Sequence, residues 1–202
     1  MRLLFGTTNK SKIIHMKAQV KSLGIEILGL DGISAPEIDI DESGNNPLEN
    51  AEIKAKAYYK ALRMPVFSCD SGLYIEGLDD LRQPGVHVRR IQGKRLSDDE
   101  MIAHYTALAK EFGGNVTARY QHAICLVLGE NQVYSHAGED IASERFLIVS
   151  KPHTKRSEGF PLDSLSVDLE SGEYYYDMGD RLNKLASIGF RDFFERVLMQ
   201  KK

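Results

Sequence analysis

The 202-residue sequence contains no tryptophan, only two cysteines and only six histidines, and its net charge is −3. Two cysteines cannot build the disulfide framework of a small secreted domain, and the histidines lack the spacing of a zinc site. No apolar run approaches the roughly 18 residues of a membrane helix, and the N-terminal segment Met1–Gly6 is too short for a secretory leader. The near balance of 26 basic and 29 acidic residues disfavours a broad nucleic-acid-binding surface. These absences predict a cytoplasmic protein without membrane or nucleic-acid partners, in which an anionic ligand would need a local cluster of lysines.

The residues that are present follow the pattern of an α/β protein. Residues 2–6 are predicted to form a buried strand, helical spacing follows from Ile13 to Leu23, and residues 25–30 are predicted as a second strand. This strand–helix–strand start favours a sheet covered by helices, so we predict one domain over residues 1–202 with a mixed sheet and two lobes around a groove. Further strands are predicted over residues 37–42, 66–69, 116–128, 133–136, 146–149 and 173–176, and helices after Asn46, after Ser97 and near the C-terminus from Phe190.

The loop between the first strand and helix is the first candidate site. A helix N-terminus presents free N–H groups and the positive end of the helix dipole, which suits phosphate. Lys12 adds a mobile charge, and Thr7 and Asn9 offer side-chain hydrogen bonds. A capped helix start with no ligand is the alternative interpretation.

Carboxylates near a lysine form the second candidate site. Glu42 ends an acidic run that begins at Glu37, and such a loop can hold Mg²⁺, although acidic surface loops are also common without a metal. Asp70 is predicted at the carboxyl end of a buried strand, where ligand crevices form in open α/β sheets, or else in a simple Asp-Ser-Gly turn. Lys54 shares a helix face with Glu49, either as part of a site or as a solvated ion pair.

Taken in chain order, the segments that contain these candidate residues resemble the inosine/xanthosine triphosphate pyrophosphatase family, which removes non-canonical purine nucleotides. The resemblance implies an elongated mixed sheet, two lobes around a central nucleotide cleft and a homodimer. It also implies Mg²⁺-dependent hydrolysis of a nucleoside triphosphate to a monophosphate and pyrophosphate. The matching residues are Thr7-x-Asn9-x-x-Lys12, Glu42-x-Gly44, Glu49-Asn50-Ala51, Lys54-Ala55, Asp70-Ser71-Gly72-Leu73, Pro84-Gly85-Val86, Arg90 and Ala118-Arg119-Tyr120.

The resemblance also implies roles for individual residues. Asp70 would activate the attacking water, and it would bind Mg²⁺ together with Glu42. The residues implied to contact the substrate are Thr7, Asn9, Lys12, Lys54, Ser71, Gly72, Phe160, Asp163 and Lys184.

The sequence departs from the family pattern at both ends of the implied substrate. Cys69 replaces an acidic residue before Asp70, which removes one charge from the metal site. The base-recognition segment is Phe160-Pro161-Leu162-Asp163-Ser164, and the family Ser-His-Arg near the C-terminus is absent. We therefore expect an NTP pyrophosphatase of altered or relaxed base specificity. A nucleotide-binding protein that keeps the fold without turnover and a hydrolase for another phosphorylated metabolite are the alternatives.

Overall fold

Seven strands form one mixed sheet among the residues that the computed structural model describes, which are 1–33, 38–91, 93–179 and 184–199. The side chains of residues 11, 184–187 and 199 lie outside this description. In chain order the strands are β1 (Arg2–Phe5), β2 (Glu26–Leu28), β3 (Val66–Ile75), β4 (Arg90–Ile91), β5 (Lys94–Arg95), β6 (Asn115–Gly129), β7 (Gln132–Ala137), β8 (Phe146–Val149) and β9 (Ser166–Asp168). The helices are α1 (Lys10–Gln19), α2 (Pro47–Leu62), α3 (Asp98–Glu111), α4 (Tyr175–Met178) and α5 (Lys184–Met199).

The strand order in the sheet is β2-β1-β3-β6-β8-β9, with β7 paired to β6, while β4 and β5 form a separate ribbon. β1 runs parallel to β2 and to β3, and its register with β3 pairs Leu4 with Val66 and Phe5 with Phe67. β6 is antiparallel to both β7 and β8. The predicted α/β class and mixed sheet are therefore confirmed.

The chain divides into two compact units, and each is discontinuous in sequence. Unit 1 comprises Met1–Ser71, Gln121–Ala142 and the C-terminal residues from Leu185 onward, and unit 2 comprises Gly72–Tyr120 and Ser143–Lys184.

Unit 1 buries apolar side chains on both faces of β1. Successive strand residues point to opposite faces of a sheet. Leu3 and Phe5 accordingly pack with residues of α1 and α5, whereas Leu4 packs with α2. Cys69 packs in the cluster of Leu3 and Phe5 and Cys125 in the cluster of Leu4, and both are buried thiols as the sequence predicts.

Unit 2 has a core of its own, in which α3 packs with β8 and with the 3₁₀ turn Pro161–Ser164. The predicted capping box at the start of α3 is confirmed, because Ser97 accepts from the Glu100 N–H at 3.2 Å and Glu100 accepts from the Ser97 N–H at 2.8 Å. Among the described residues, none of the helices has the length and apolar character needed to cross a membrane.

One predicted strand end and two predicted strands are wrong. β3 does not end at Asp70 but continues to Ile75, because β6 remains beside it after its pairing with β1 stops at Phe67. Residues 38–41 form no strand, and their isoleucines instead pack as part-buried side chains against the core around α2. The segment 173–176 makes one bridge, between Tyr174 and Val167, and then turns into α4.

Candidate active site

A lysine joins two carboxylates at the centre of the candidate site in unit 1. The Nζ atom of Lys54 lies 2.7 Å from Oδ1 of Asp70 and 3.1 Å from Oε2 of Glu42. The side chains of Lys54 and Asp70 are only 12% and 13% exposed, whereas Glu42 is 50% exposed. Burial by itself would lower the pKa of Lys54, but the charges and hydrogen bonds of Asp70 and Glu42 outweigh it and raise the pKa. Lys54 is therefore a fully charged cation that holds both carboxylates in place.

The start of α2 fixes the turn that carries Glu42. Asn46 caps the helix by accepting from the Glu49 N–H at 3.0 Å, and Glu49 accepts in return from the Asn46 side-chain amide at 2.8 Å. Asn50, which is 2% exposed, accepts from the Gly44 N–H at 2.9 Å. A Cβ at Gly44 would lie only 2.6 Å from Oδ1 of Asn50, so a side chain there would displace the turn. The motif Glu42-x-Gly44 thus depends on glycine for close approach to the helix.

The loop between β1 and α1 uses two of its predicted ligand groups to build its own structure. Asn9 is the N-cap of α1 and accepts from the Lys12 N–H at 3.1 Å. Thr7 accepts from the Asn9 N–H at 3.2 Å. At the loop entrance, a Cβ at Gly6 would lie 2.4 Å from Cδ2 of Tyr58. These oxygens are therefore structural, and what Thr7 and Asn9 can still offer a phosphate is their hydroxyl and amide donors.

Lys12 adds a second cation to the same electrostatic environment. Burial lowers the pKa of Lys12, and the positive charge of Lys54 lowers it further, against smaller opposing effects that include the carboxylates of Asp70 and Glu42. Cys69 packs in an apolar cluster within electrostatic range of these charges, and burial raises its pKa to about 12. A protonated thiol thus stands where the family pattern has an acid, and two lysines face two carboxylates.

The two carboxylates fit a divalent metal of the Mg²⁺ type. Lys54 engages one oxygen of Asp70 and one of Glu42, which leaves the second oxygen of each as a hard ligand. Mg²⁺ is commonly held by one or two carboxylates, with waters and substrate phosphates completing its shell. Among the described residues there is no group of three or more His, Cys, Asp or Glu that could hold a metal without such help. Of the remaining acidic run, Glu37 lies outside the described residues and Asp39 and Asp41 are exposed.

A serine–histidine pair beside Asp70 was missed by sequence reasoning. Oγ of Ser71 lies 2.8 Å from Nδ1 of His122, and the imidazole ring is tilted by 41° against Phe190 with the ring centroids 6.2 Å apart. The two residues are 51 positions apart in sequence and meet because β3 and β6 are neighbours. The one available signal was the position of His122 in an apolar strand, where a polar ring needs a partner.

The remaining predicted site residues belong to unit 2. A Cβ at Gly72 would lie 3.1 Å from the backbone of Gly85, which explains the glycine by close packing. Phe160 and Asp163 are half-buried at the 3₁₀ turn Pro161–Ser164, where the Asp163 N–H donates to the Phe160 carbonyl at 3.2 Å. The side chain of Lys184 lies outside the described residues.

Comparisons with known proteins identify relatives of this chain. The family model of the Ham1 family matches residues 3–165 of the chain. A dITP/XTP pyrophosphatase of Hydrogenobaculum sp. (strain Y04AAS1) is 34% identical over 164 residues, covering 72% of this chain and 78% of that protein. A second dITP/XTP pyrophosphatase, from Symbiobacterium thermophilum, is 33% identical over 139 residues and covers 68% and 67% of the two chains.

Two solved structures share the fold. The Staphylococcus aureus Ham1 protein aligns over the whole of both chains with a TM-score of 0.73 and 20% identity. A HAM1 protein from Coxiella burnetii aligns over the whole of this chain and 98% of that chain, with a TM-score of 0.75 and 22% identity. The family membership inferred from the ordered motifs is thus confirmed, and the chain belongs to the Ham1 family.

Proposed function

We propose that this protein hydrolyses nucleoside triphosphates to a nucleoside monophosphate and pyrophosphate, with Mg²⁺ as its cofactor. The two relatives described above, at 34% and 33% identity, are dITP/XTP pyrophosphatases. The observation that carries the proposal is the Lys54 ammonium between Asp70 and Glu42, with Lys12 in the same electrostatic environment. A metal-ligating pair of carboxylates next to two cations suits a polyphosphate, whose charge must be neutralised before a nucleophile can approach.

In the proposed reaction, Asp70 transfers a proton and the lysines neutralise charge. Asp70 accepts a proton from water as the water oxygen attacks the α-phosphorus. The bond from this phosphorus to the oxygen that bridges the α- and β-phosphates breaks, and pyrophosphate leaves. Lys54 keeps Asp70 oriented, while Lys12 and Lys54 offset negative charge on the phosphate chain. Glu42 and Asp70 would hold Mg²⁺, which when bound supplies further charge neutralisation and orients the phosphates. The Thr7 hydroxyl, the Asn9 amide and the Ser71 hydroxyl add hydrogen bonds to phosphate oxygens.

Base recognition is proposed to be altered or relaxed. Phe160 would stack on the base, Asp163 would accept hydrogen bonds from it, and Gly72 and Lys184 would complete the substrate contacts. A site that hydrogen-bonds one base edge discriminates strongly through groups that are otherwise left unpaired, so changing those groups changes the preference. We further propose that the enzyme acts in the cytoplasm, as the sequence composition predicts, and that it forms a homodimer, as the family resemblance implies.

Pyrophosphate release from a panel of triphosphates tests the proposed activity. The panel contains ITP, XTP, dITP and the common NTPs, each assayed with and without Mg²⁺. We expect release from at least one of them and a loss of at least about 100-fold in Asp70→Asn, as general-base catalysis typically contributes. Asp79→Asn, an exposed substitution in unit 2, is the matched control and should keep full activity. Absence of pyrophosphate from every triphosphate would refute the activity.

The alternative of a nucleotide-binding protein without turnover is favoured by one observation. Cys69 is buried and stays protonated, so the site has one negative charge fewer than the family pattern. Nucleotide binding in calorimetry without hydrolysis would support this alternative. Cys69→Asp is the variant that distinguishes the two functions. A large gain in the rate of hydrolysis would show that the thiol at this position limits turnover in the wild type.

A further inference from the structure

The pair formed by Ser71 and His122 has no role in the function proposed so far beyond the serine hydroxyl. The two residues belong to unit 1 and are joined by the 2.8 Å contact between Oγ and Nδ1. Ser71 directly follows Asp70 on β3, so its backbone is fixed by the strand that carries the proposed base. His122 is half-buried on β6, immediately before the fully buried run Ala123–Leu126. Both partners are therefore held by the sheet rather than by mobile loops.

A serine hydroxyl has one proton to donate, and its partner decides where that proton points. If Ser71 donates to Nδ1 of His122, the proton is used within the pair and only lone pairs remain for a ligand. If the Nδ1–H of His122 donates to Oγ, the serine proton is available to a phosphate oxygen. The two arrangements have the same heavy-atom geometry and differ in the tautomer of the imidazole.

A polyphosphate distinguishes the two arrangements because its oxygens are acceptors only. Hydrogen bonds to a charged acceptor are roughly twice as strong as neutral ones, so a bound phosphate chain favours the arrangement in which Ser71 donates outward. The imidazole reaches that tautomer by exchanging its proton with solvent, without net protonation.

We infer that His122 is a positioning residue, which donates from Nδ1 to Ser71 and thereby directs the serine hydroxyl proton to the phosphate chain of the substrate. The inference rests on the proposed function for the identity of the ligand, but not on turnover. It assigns a role to a histidine that the ordered motifs leave out.

Four variants test the pair through the affinity for inorganic pyrophosphate, measured by calorimetry with Mg²⁺. His122→Phe and Ser71→Ala should each weaken binding about 10-fold, the factor that 1.4 kcal/mol represents. The double variant should be no weaker than either single one, because both remove the same interaction. His122→Asn should restore most of the affinity, since its amide can donate from a position close to that of Nδ1. His87→Phe, an exposed position in unit 2, is the control and should bind like the wild type.

Nitrogen NMR of the wild-type protein labelled in histidine gives a readout that does not depend on any variant folding. We expect the His122 signal to report protonation at Nδ1 when pyrophosphate is bound. Persistence of the Nε2–H tautomer in the complex would overturn the inference, as would unchanged affinity in His122→Phe or additive losses in the double variant. These outcomes are separate from the failure of the proposed function, which appears as absence of turnover in the wild type.

Discussion

Replacing Lys12 by methionine should make the protein more stable and a poorer ligand for phosphate. Burial and the charge of Lys54 lower the pKa of Lys12, so the protonated side chain is held in the folded chain at a cost in free energy. A buried charge without a hydrogen-bonded partner is costly, and exchanging even a complete buried ion pair for apolar groups of similar volume is often stabilising by about 1–4 kcal/mol. Because Lys12 is only half-buried, we expect the lower end, about 1 kcal/mol in the free energy of unfolding.

Urea unfolding followed by circular dichroism measures the gain in stability, and its pH dependence has a definite sign. The folded pKa lies below the ordinary 10.5, so the unfolded chain binds this proton more tightly and the wild type gains stability as pH rises from the folded value toward 10.5. The advantage of Lys12→Met should therefore shrink over that window. Pyrophosphate affinity should fall by about 10- to 150-fold, since one charge-assisted hydrogen bond of about 1.5–3 kcal/mol is lost.

Lys10→Met is the matched control, because Lys10 is exposed in the same first turn of α1. It should change neither the stability nor the affinity by more than about 0.5 kcal/mol. A destabilised Lys12→Met, or one whose advantage grows with pH, would show that Lys12 is stabilised by its carboxylate neighbours and would refute the reasoning.

Two further predictions concern the turn before α2 and the cysteines. Gly44→Ala should destabilise the protein by about 1–3 kcal/mol in thermal unfolding, since the added methyl would lie 2.6 Å from Oδ1 of Asn50. Gly32→Ala is the control and should be neutral, because there is open space around Gly32. Equal losses of stability in the two variants would contradict the packing argument. Burial raises the pKa of Cys69 to about 12, and it also raises the pKa of Cys125. A thiol-specific dye at pH 8 should therefore react with neither cysteine until urea unfolds the chain. Rapid labelling of the native protein would disprove their inaccessibility.

The sequence was most informative where one local rule decides the structure. The Asn46-Pro47 start of α2 and the Ser97 capping box depend on neighbouring residues alone, and both are confirmed. The prediction that β3 ends at the Asp-Ser-Gly segment is wrong, because the partner strand β6 sets the length of β3. The local sequence around Asp70 carries no information about that partner.

The sequence predicts a set of site residues, but it does not predict the contacts between them. The ordered motifs identified Lys54, Asp70 and Glu42, yet only the fold shows that one ammonium joins both carboxylates. Thr7 and Asn9 were expected to offer hydrogen bonds to a ligand, and the fold shows that their oxygens also accept the backbone N–H groups that organise the loop. Local hydrogen bonds of this kind compete with ligand binding for the same short polar side chains, and sequence alone does not say which use prevails.

The ammonium of Lys54 holds Asp70 and Glu42 together. Two carboxylates brought together without a counter-ion would repel each other, and many metal sites assemble only when the ion arrives. Here the chain carries its own cation to that position, so the site is pre-assembled before metal or substrate binds. For the proposed Mg²⁺-dependent hydrolysis, a chelator should accordingly stop turnover at once while leaving the unfolding temperature unchanged, and restored Mg²⁺ should return activity without a refolding delay.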